Sequence, residues 1–212
     1  VGLLLLPAAA GAQDRRFHGS IGGGATPIFD TLGDGFATGW GPSLGFGVDL
    51  NDNLGFQFDY DYRYFSLKDD LDLQAGQYSA NHKMNALSFG IVARMGAADA
   101  GLRPYAIAGP GFYHRKVEIT EYVGNGIVCD PWLYLCGTYP IEAIVGDRGG
   151  WDFGMHFGGG VAFRIAEEAE LFFEVRYHYV WGPETQPTSV PVSTGPQKVN
   201  GQYLPITFGL RF

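Results

Sequence analysis

Charged side chains fall at every second position in several stretches of this chain. In "LGFQFDYDYRY", residues 54–64, Asp59, Asp61 and Arg63 alternate with Phe58, Tyr60, Tyr62 and Tyr64. "WDFGMHFGGGVAFR", 151–164, sets Asp152, His156 and Arg164 against Trp151, Phe153, Met155, Phe157 and Phe163. "ELFFEVRYHYVW", 170–181, sets Glu170, Glu174, Arg176 and His178 against Phe173, Val175, Tyr177, Tyr179 and Trp181. Asp49, Arg94, His114 and Arg211 take the polar parity of neighbouring runs. Carboxylates, guanidinium groups and imidazoles gathered on one face could hold an ion, move a proton or neutralise one another. Both signs are present, and buried charges persist only when paired and hydrogen-bonded. The expectation is therefore a mutually neutralising network of Asp59, Asp61, Arg63, Arg94, His156, Arg164, Glu170, Glu174, Arg176 and Arg211. Arg164 and Glu170 should pair across the "IAEEA" turn, with Arg211 near them.

Other candidate chemistry is thinner. Nucleophilic catalysis needs a nucleophile beside a base, and "HGS" offers His18 and Ser20, but both take the polar parity at the start of the first run. No enzymatic activity is expected. The "DDLDL" patch, beginning at Asp69, lacks the oxygen-ligand spacing of a calcium loop and reads as a solvated acidic loop. Two cysteines, Cys129 and Cys136, bracket "CDPWLYLC". Two thiols fall short of a zinc site; in an oxidising compartment they form a disulfide closing a small loop. No cofactor or metal is expected. The net charge of −8 argues against a nucleic-acid partner.

Strands must position these groups, because period two dominates the chain. Eight runs show it, at 17–30, 38–50, 54–66, 82–96, 103–119, 151–165, 170–181 and 201–212. The connections strictly alternate between short ("NDN", "GAADAGL", "AEEA") and long (30–37, 67–81, 120–150, 182–200). In an up-and-down sheet this gathers all short turns at one end and all long loops at the other. The first stretch, "VGLLLLPAAAGAQ", differs: an apolar core followed by Ala10-Gly11-Ala12 reads as the end of a secretory signal, residues 1–12, with the mature chain at 13–212.

Alternation alone does not say which face is inside. The polar face is rich in glycine (Gly41, Gly45, Gly47, Gly154, Gly158, Gly160), which suits the narrow interior of an eight-stranded barrel. The apolar faces are too bulky for that lumen, and most runs reach the roughly 9–11 residues that cross a hydrocarbon layer. Trp40, Tyr62, Tyr64, Tyr113, Trp151, Tyr177, Tyr179 and Trp181 gather near the long-loop end, as an interfacial girdle would. The fold expected is all-β: an eight-stranded antiparallel up-and-down transmembrane β-barrel, with every backbone polar group paired.

At this point the chain resembles the small eight-stranded outer-membrane barrels, the OmpA-like and OmpX-like group. The resemblance rests on "PYAIAGPGFY" (104–113), "FGGGVAFRIAEEAELFFEVRYHY" (157–179) and "LPITFGLRF" (204–212), and covers about residues 13–212. It implies the outer membrane of a Gram-negative bacterium. It implies contact with outer-membrane lipid and lipopolysaccharide and with the outer-membrane assembly machinery, for which Phe212 is similar to the terminal signal. It implies a structural or surface-recognition role, a host or other surface protein meeting the 120–150 loop. Strand five could run on into that loop as a ledge for edge pairing. The His-x-Ser pair of barrel lipid A deacylases faces lipid from a later strand, so "HGS" does not match it. The chain departs from relatives with a periplasmic peptidoglycan-binding domain. Alternative classes are a narrow channel for small solutes or ions, and a soluble ligand-binding barrel.

Overall fold

The computed structural model describes residues 17–29, 33, 35–68, 78–97, 100–130, 135–166, 168–182, 184–185, 197–198 and 200–212, with only the backbone described in parts of the long strands, chiefly 125–130 and 135–142. The 1–12 signal, the 69–73 acidic patch and most of the 182–200 loop lie outside these residues.

The alternating runs become strands, because side chains of opposite polarity on successive residues can be partitioned only by a pleated element. In chain order they are β1 (Phe17–Thr26, continued by Ile28–Phe29), β2 (Gly39–Asp49), β3 (Leu54–Ser66), β4 (Tyr78–Arg94), β5 (Leu102–Asp130), β6 (Leu135–Ala166), β7 (Ala169–Trp181) and β8 (Gly201–Tyr203, then Ile206–Arg211). Each pairs antiparallel with the next, and β8 pairs back onto β1, closing an eight-stranded barrel. Closure leaves no sheet edge facing lipid. Its last rung pairs Gly19 with Phe212 through two backbone hydrogen bonds of 2.8 and 2.9 Å.

The seam bends where proline interrupts both strands. Pro27 and Pro205 cannot donate to the ladder, yet their carbonyls accept from Leu204 and Arg176, each at 3.0 Å. Beside this bend Gly24 passes so close to β8 that an added Cβ would lie 1.8 Å from the Ile206 carbonyl oxygen. A second proline break lies within the wall. The β2–β3 register lapses at Gly41 and Pro42, between the Trp40–Tyr64 and Ser43–Asp61 pairs.

The outer face is a belt of exposed apolar residues that includes Phe46, Phe58, Phe89, Phe112, Phe157 and Phe208. A patch this continuous is untenable against water and fits a lipid boundary. Trp40, Tyr62, Tyr64, Trp151, Tyr177, Tyr179 and Trp181 face outward.

Two strands are far longer than the alternating runs, 29 residues in β5 and 32 in β6. Among the described residues the last β4–β5 rung is Tyr78–Glu121, whereas β5 and β6 continue together to Asp130–Leu135. The 120–150 region is thus a two-stranded hairpin carried about 30 Å past the last β4 rung. Register shifts at Ile119/Thr120 and Tyr122/Gly124 bend its base, with Gly124 at φ +144°.

Candidate functional site

The inward positions divide into layers. At the short-turn rim, Arg94 Nη1 lies 2.5 Å from Asp49 Oδ1, His18 Nδ1 lies 3.5 Å from Asp49 Oδ2, and Arg103 donates to the Asp52 carbonyl. Burial opposes ionisation of Asp49, but the hydrogen bonds from His18 and Arg94 outweigh it and hold its carboxyl below the usual range. Arg211 lies 3.6 Å from Glu170 and its guanidinium sits over the Tyr105 and Phe172 rings. Arg164 is exposed at this rim, directly opposite Glu170 in the β6–β7 register.

The middle layer is ionic. Arg176 pairs with Asp59 at 2.6 Å and with Glu174 at 2.5 Å; Tyr105 donates to Glu174 at 3.0 Å and Gln57 to Asp59 at 2.8 Å. Arg63 is wholly buried. It reaches Asp61 at 2.9 Å, Ser43 at 2.7 Å and Thr207 at 3.3 Å. It also donates to the carbonyls of Gly41, Pro42 and Tyr62 at 2.8, 2.9 and 3.2 Å. These carbonyls border the Pro42 break, so the side chain supplies donors where the ladder lapses. The space left among Ser20, Ser43, Gln57, Asp59, Glu174 and Arg176 is a cavity of about 10 Å³, room for a single water.

Towards the long-loop end, His156 and His178 stack with ring centres 5.4 Å apart, and Tyr113 is hydrogen-bonded to His178 at 2.8 Å. Arg115 is paired with Asp152 at 2.7 Å. Above them lies an apolar layer of Phe65, Met84, Ala86, Tyr113, Val180 and Tyr203, with Ile28 and Phe36 packed on it.

Of the residues expected to neutralise one another, Asp59, Asp61, Arg63, Glu174 and Arg176 meet in the middle layer; Arg94 and the Arg211–Glu170 pair lie at the short-turn rim, His156 stacks on His178, and Arg164 is exposed at the rim. Two positions differ from expectation. Tyr113 is not in the girdle; it is fully buried in the lumen. His114 is not in the lumen; it faces outward with its ring 5.1 Å from that of Trp151. Both follow from one parity error on β5, where the inner residues Tyr105, Ile107 and Tyr113 are as apolar as the outer ones. Arg103 and Arg115 share the parity of Tyr113, and that was the available signal. Arg103, Arg115, Tyr105 and His82 are lumen residues that the alternation pattern did not single out. His18 and Ser20 face inward as their parity implies, and neither meets lipid.

Just beyond the girdle the outer face turns polar. Lys83 and Lys116, opposite one another in the register, both reach Glu118, at 2.5 and 2.9 Å. The hydrogen bond to Glu118 holds Lys83 above its ordinary range, and the bonds from Lys116 and Lys83 hold Glu118 below its own. On the projecting hairpin the register sets Cys129 opposite Cys136, whose side chains lie outside the described residues, as do Trp132 and Tyr134.

The profile of a family described as "Outer membrane protein beta-barrel domain" matches residues 1–212. The chain belongs to this family. Its place is accordingly the cell outer membrane. No curated protein sequence matches it. Among solved structures it is similar to a major outer membrane protein from Thermus thermophilus (14% identity, 92% of this chain and 98% of that one, TM-score 0.58). It is also similar to Neisserial surface protein A (16%, 92% and 95%, 0.53). A third is Ail, the attachment invasion locus protein of Yersinia pestis (14%, 92% and 97%, 0.50). At these identities the likeness is one of fold. This outer membrane barrel therefore shares its architecture with proteins whose sequences have diverged almost completely.

Proposed function

We propose that this barrel is a non-enzymatic surface-recognition and structural element of the outer membrane, with a closed lumen and the β5–β6 hairpin as its contact surface. The observation that carries the reading is the hairpin. Two strands stay paired well past the last described β4 rung, and on the β7 side the described ladder begins at Phe153–Trp181. Among the described residues the β6 backbone over 135–152 therefore has an edge with no strand beside it, on a scaffold rigid enough to present it. Such an edge suits strand addition by a partner protein on a host or another cell. The name of Ail, an attachment invasion locus protein, points to the same class of role, but the reading rests on the hairpin.

A two-stranded ribbon is marginal alone. Directly opposed residues in an antiparallel pair have Cα atoms about 4.5–5.5 Å apart, inside the range a disulfide spans. We infer that Cys129 and Cys136 are bridged and stiffen the tip. The remaining partners in this reading are lipid and lipopolysaccharide around the apolar belt, and the assembly machinery, with Phe212 as the residue it would recognise.

The test is to replace residues 122–142 by an Asn-Gly turn, which joins two strands tightly. Adherence of cells bearing either form to a protein-coated surface should fall at least tenfold with the short form, at equal surface abundance. Equal adherence would refute the recognition role. Closure is tested separately: the purified barrel in a planar bilayer should show no steady openings. Regular conductance steps would favour the narrow-channel alternative, and elution from membranes in carbonate a soluble barrel.

A further inference from the structure

The apolar layer at the long-loop end encloses one ionisable group on which the function proposed above makes no demand. His82 is 1% exposed. Its ring stacks on Phe65 at 5.1 Å and lies 5.6 Å from Phe36 and 6.3 Å from Tyr203, with Nε2 3.3 Å from the Tyr203 hydroxyl. Phe36, in the described stretch just before β2, packs on this apolar layer as its cover. It bridges to Leu67, while Ala37 donates to the Ser66 carbonyl at 2.9 Å, Lys68 N to Gly35 O at 3.1 Å and Lys68 Nζ to Gly33 O at 2.6 Å.

Burial first, and then the groups facing His82, set its protonation state. From β5 come Arg115, which is paired with Asp152 and hydrogen-bonded to Tyr203, and the backbone of Lys116. From β8 comes Tyr203, from β3 Phe65, and from the covering segment Phe36; no carboxylate touches the imidazole among the described residues. A guanidinium has only donors, so Arg115 donates to the Tyr203 oxygen. The Tyr203 hydrogen is then directed to His82 Nε2, which must accept and so must be unprotonated. The chain Asp152–Arg115–Tyr203–His82 has one consistent direction.

We propose that His82 is a proton-sensitive latch: when it takes a proton, the Phe36–Leu67 cover at the outer mouth is released. A proton on Nε2 reverses the last bond of the chain. The Tyr203 oxygen then faces two donors, its own hydrogen has no acceptor, and a second cation stands beside Arg115 within an aromatic enclosure. The conflict is relieved by moving Phe36 away and admitting water. Because a buried imidazole charges only below its ordinary value of about 6.5, the cover stays shut at neutral pH and opens in acid. The ionic middle layer is not part of the latch, so what opens is the mouth and not a channel.

Hydrogen exchange on the whole barrel in nanodiscs, at pH 7.5 and pH 4.5 with intrinsic rates corrected, reads the cover directly. The amides of Ala37 and Lys68 should lose protection at least tenfold at pH 4.5, while Arg176 on the β7–β8 seam keeps its own. His82→Phe fills the same enclosure without a proton site and should abolish the pH effect. Tyr203→Phe removes the hydrogen bond that favours the neutral ring, and should move the acid midpoint upward by up to about one pH unit. The proposal is overturned if wild-type protection at Ala37 and Lys68 is the same at both values. Loss of protection to the same extent in His82→Phe, or loss shared equally by the seam, would overturn it too. Should His82→Phe fail to fold, the direction of the Tyr203→Phe shift decides.

Discussion

Replacing Arg176 by methionine tests the ionic layer most directly. The guanidinium is buried between Asp59 at 2.6 Å and Glu174 at 2.5 Å, on strands that come together only when the barrel closes. Methionine keeps most of the volume and removes the charge, leaving two buried carboxylates without their cation. Breaking a buried pair from one side costs about 3–5 kcal/mol, and the doubled loss here argues for the upper part of that range. With an unfolding slope near 2 kcal/mol per molar urea, the midpoint should fall by roughly 2 M. The folded and unfolded forms of the barrel, separated by gel migration after equilibration in urea, give that midpoint. The neutral triple variant Asp59→Asn, Glu174→Gln, Arg176→Met should recover most of the loss, since it removes the uncompensated charges along with the pair. A shift below about 0.5 M in the single variant, or no recovery in the triple, would refute the reasoning that pairing, and not packing, holds this layer.

Three further outcomes are expected. Asp49 is held below its ordinary range, so its contribution is present above the unfolded carboxylate value of about 3.9 and is lost as pH falls through the folded one; Asp49→Asn should flatten the fall of the urea midpoint between pH 5 and pH 3. Gly24→Ala drives a methyl group into the Ile206 carbonyl at the closing seam and should cost about 1–3 kcal/mol, seen in the same urea titration. A reductant should raise protease cleavage within 122–142 without changing barrel migration, if Cys129 and Cys136 bridge the hairpin; cleavage indifferent to reductant would count against the bridge.

How far the sequence could be read depended on how different the two faces of each strand are. On β3 and β7 the inner face includes Asp59, Asp61, Arg63, Glu174, Arg176 and His178 while the residues between them are aromatic or aliphatic, so parity assigns those stretches without ambiguity. On β5 both faces carry apolar residues, because its inner face is itself lined by Tyr105, Ile107 and Tyr113. There a one-residue slip exchanges every side chain between faces, which is how Tyr113 and His114 changed places. The extent of β5 and β6 was only partly legible. Glycine-rich, irregular segments above the membrane show no alternation, since water bathes both faces and nothing selects a period. Phe36 and His82 meet across 46 residues of sequence through barrel closure alone, a contact that no local pattern encodes.

The three carbonyls that Arg63 holds around Pro42 have a consequence for the wall itself. At the other paired positions of the β2–β3 boundary, main chain is joined to main chain, and only a proline, which lacks the N–H, would remove the bond. At this rung the join is made by a side chain, so a single codon change at position 63 would leave backbone acceptors unpaired in the barrel wall. The damage from losing Arg63 would thus run sideways, as a slit between two strands, rather than along the axis. A lipid tail or a detergent molecule, not an ion in the lumen, would be the first to find it.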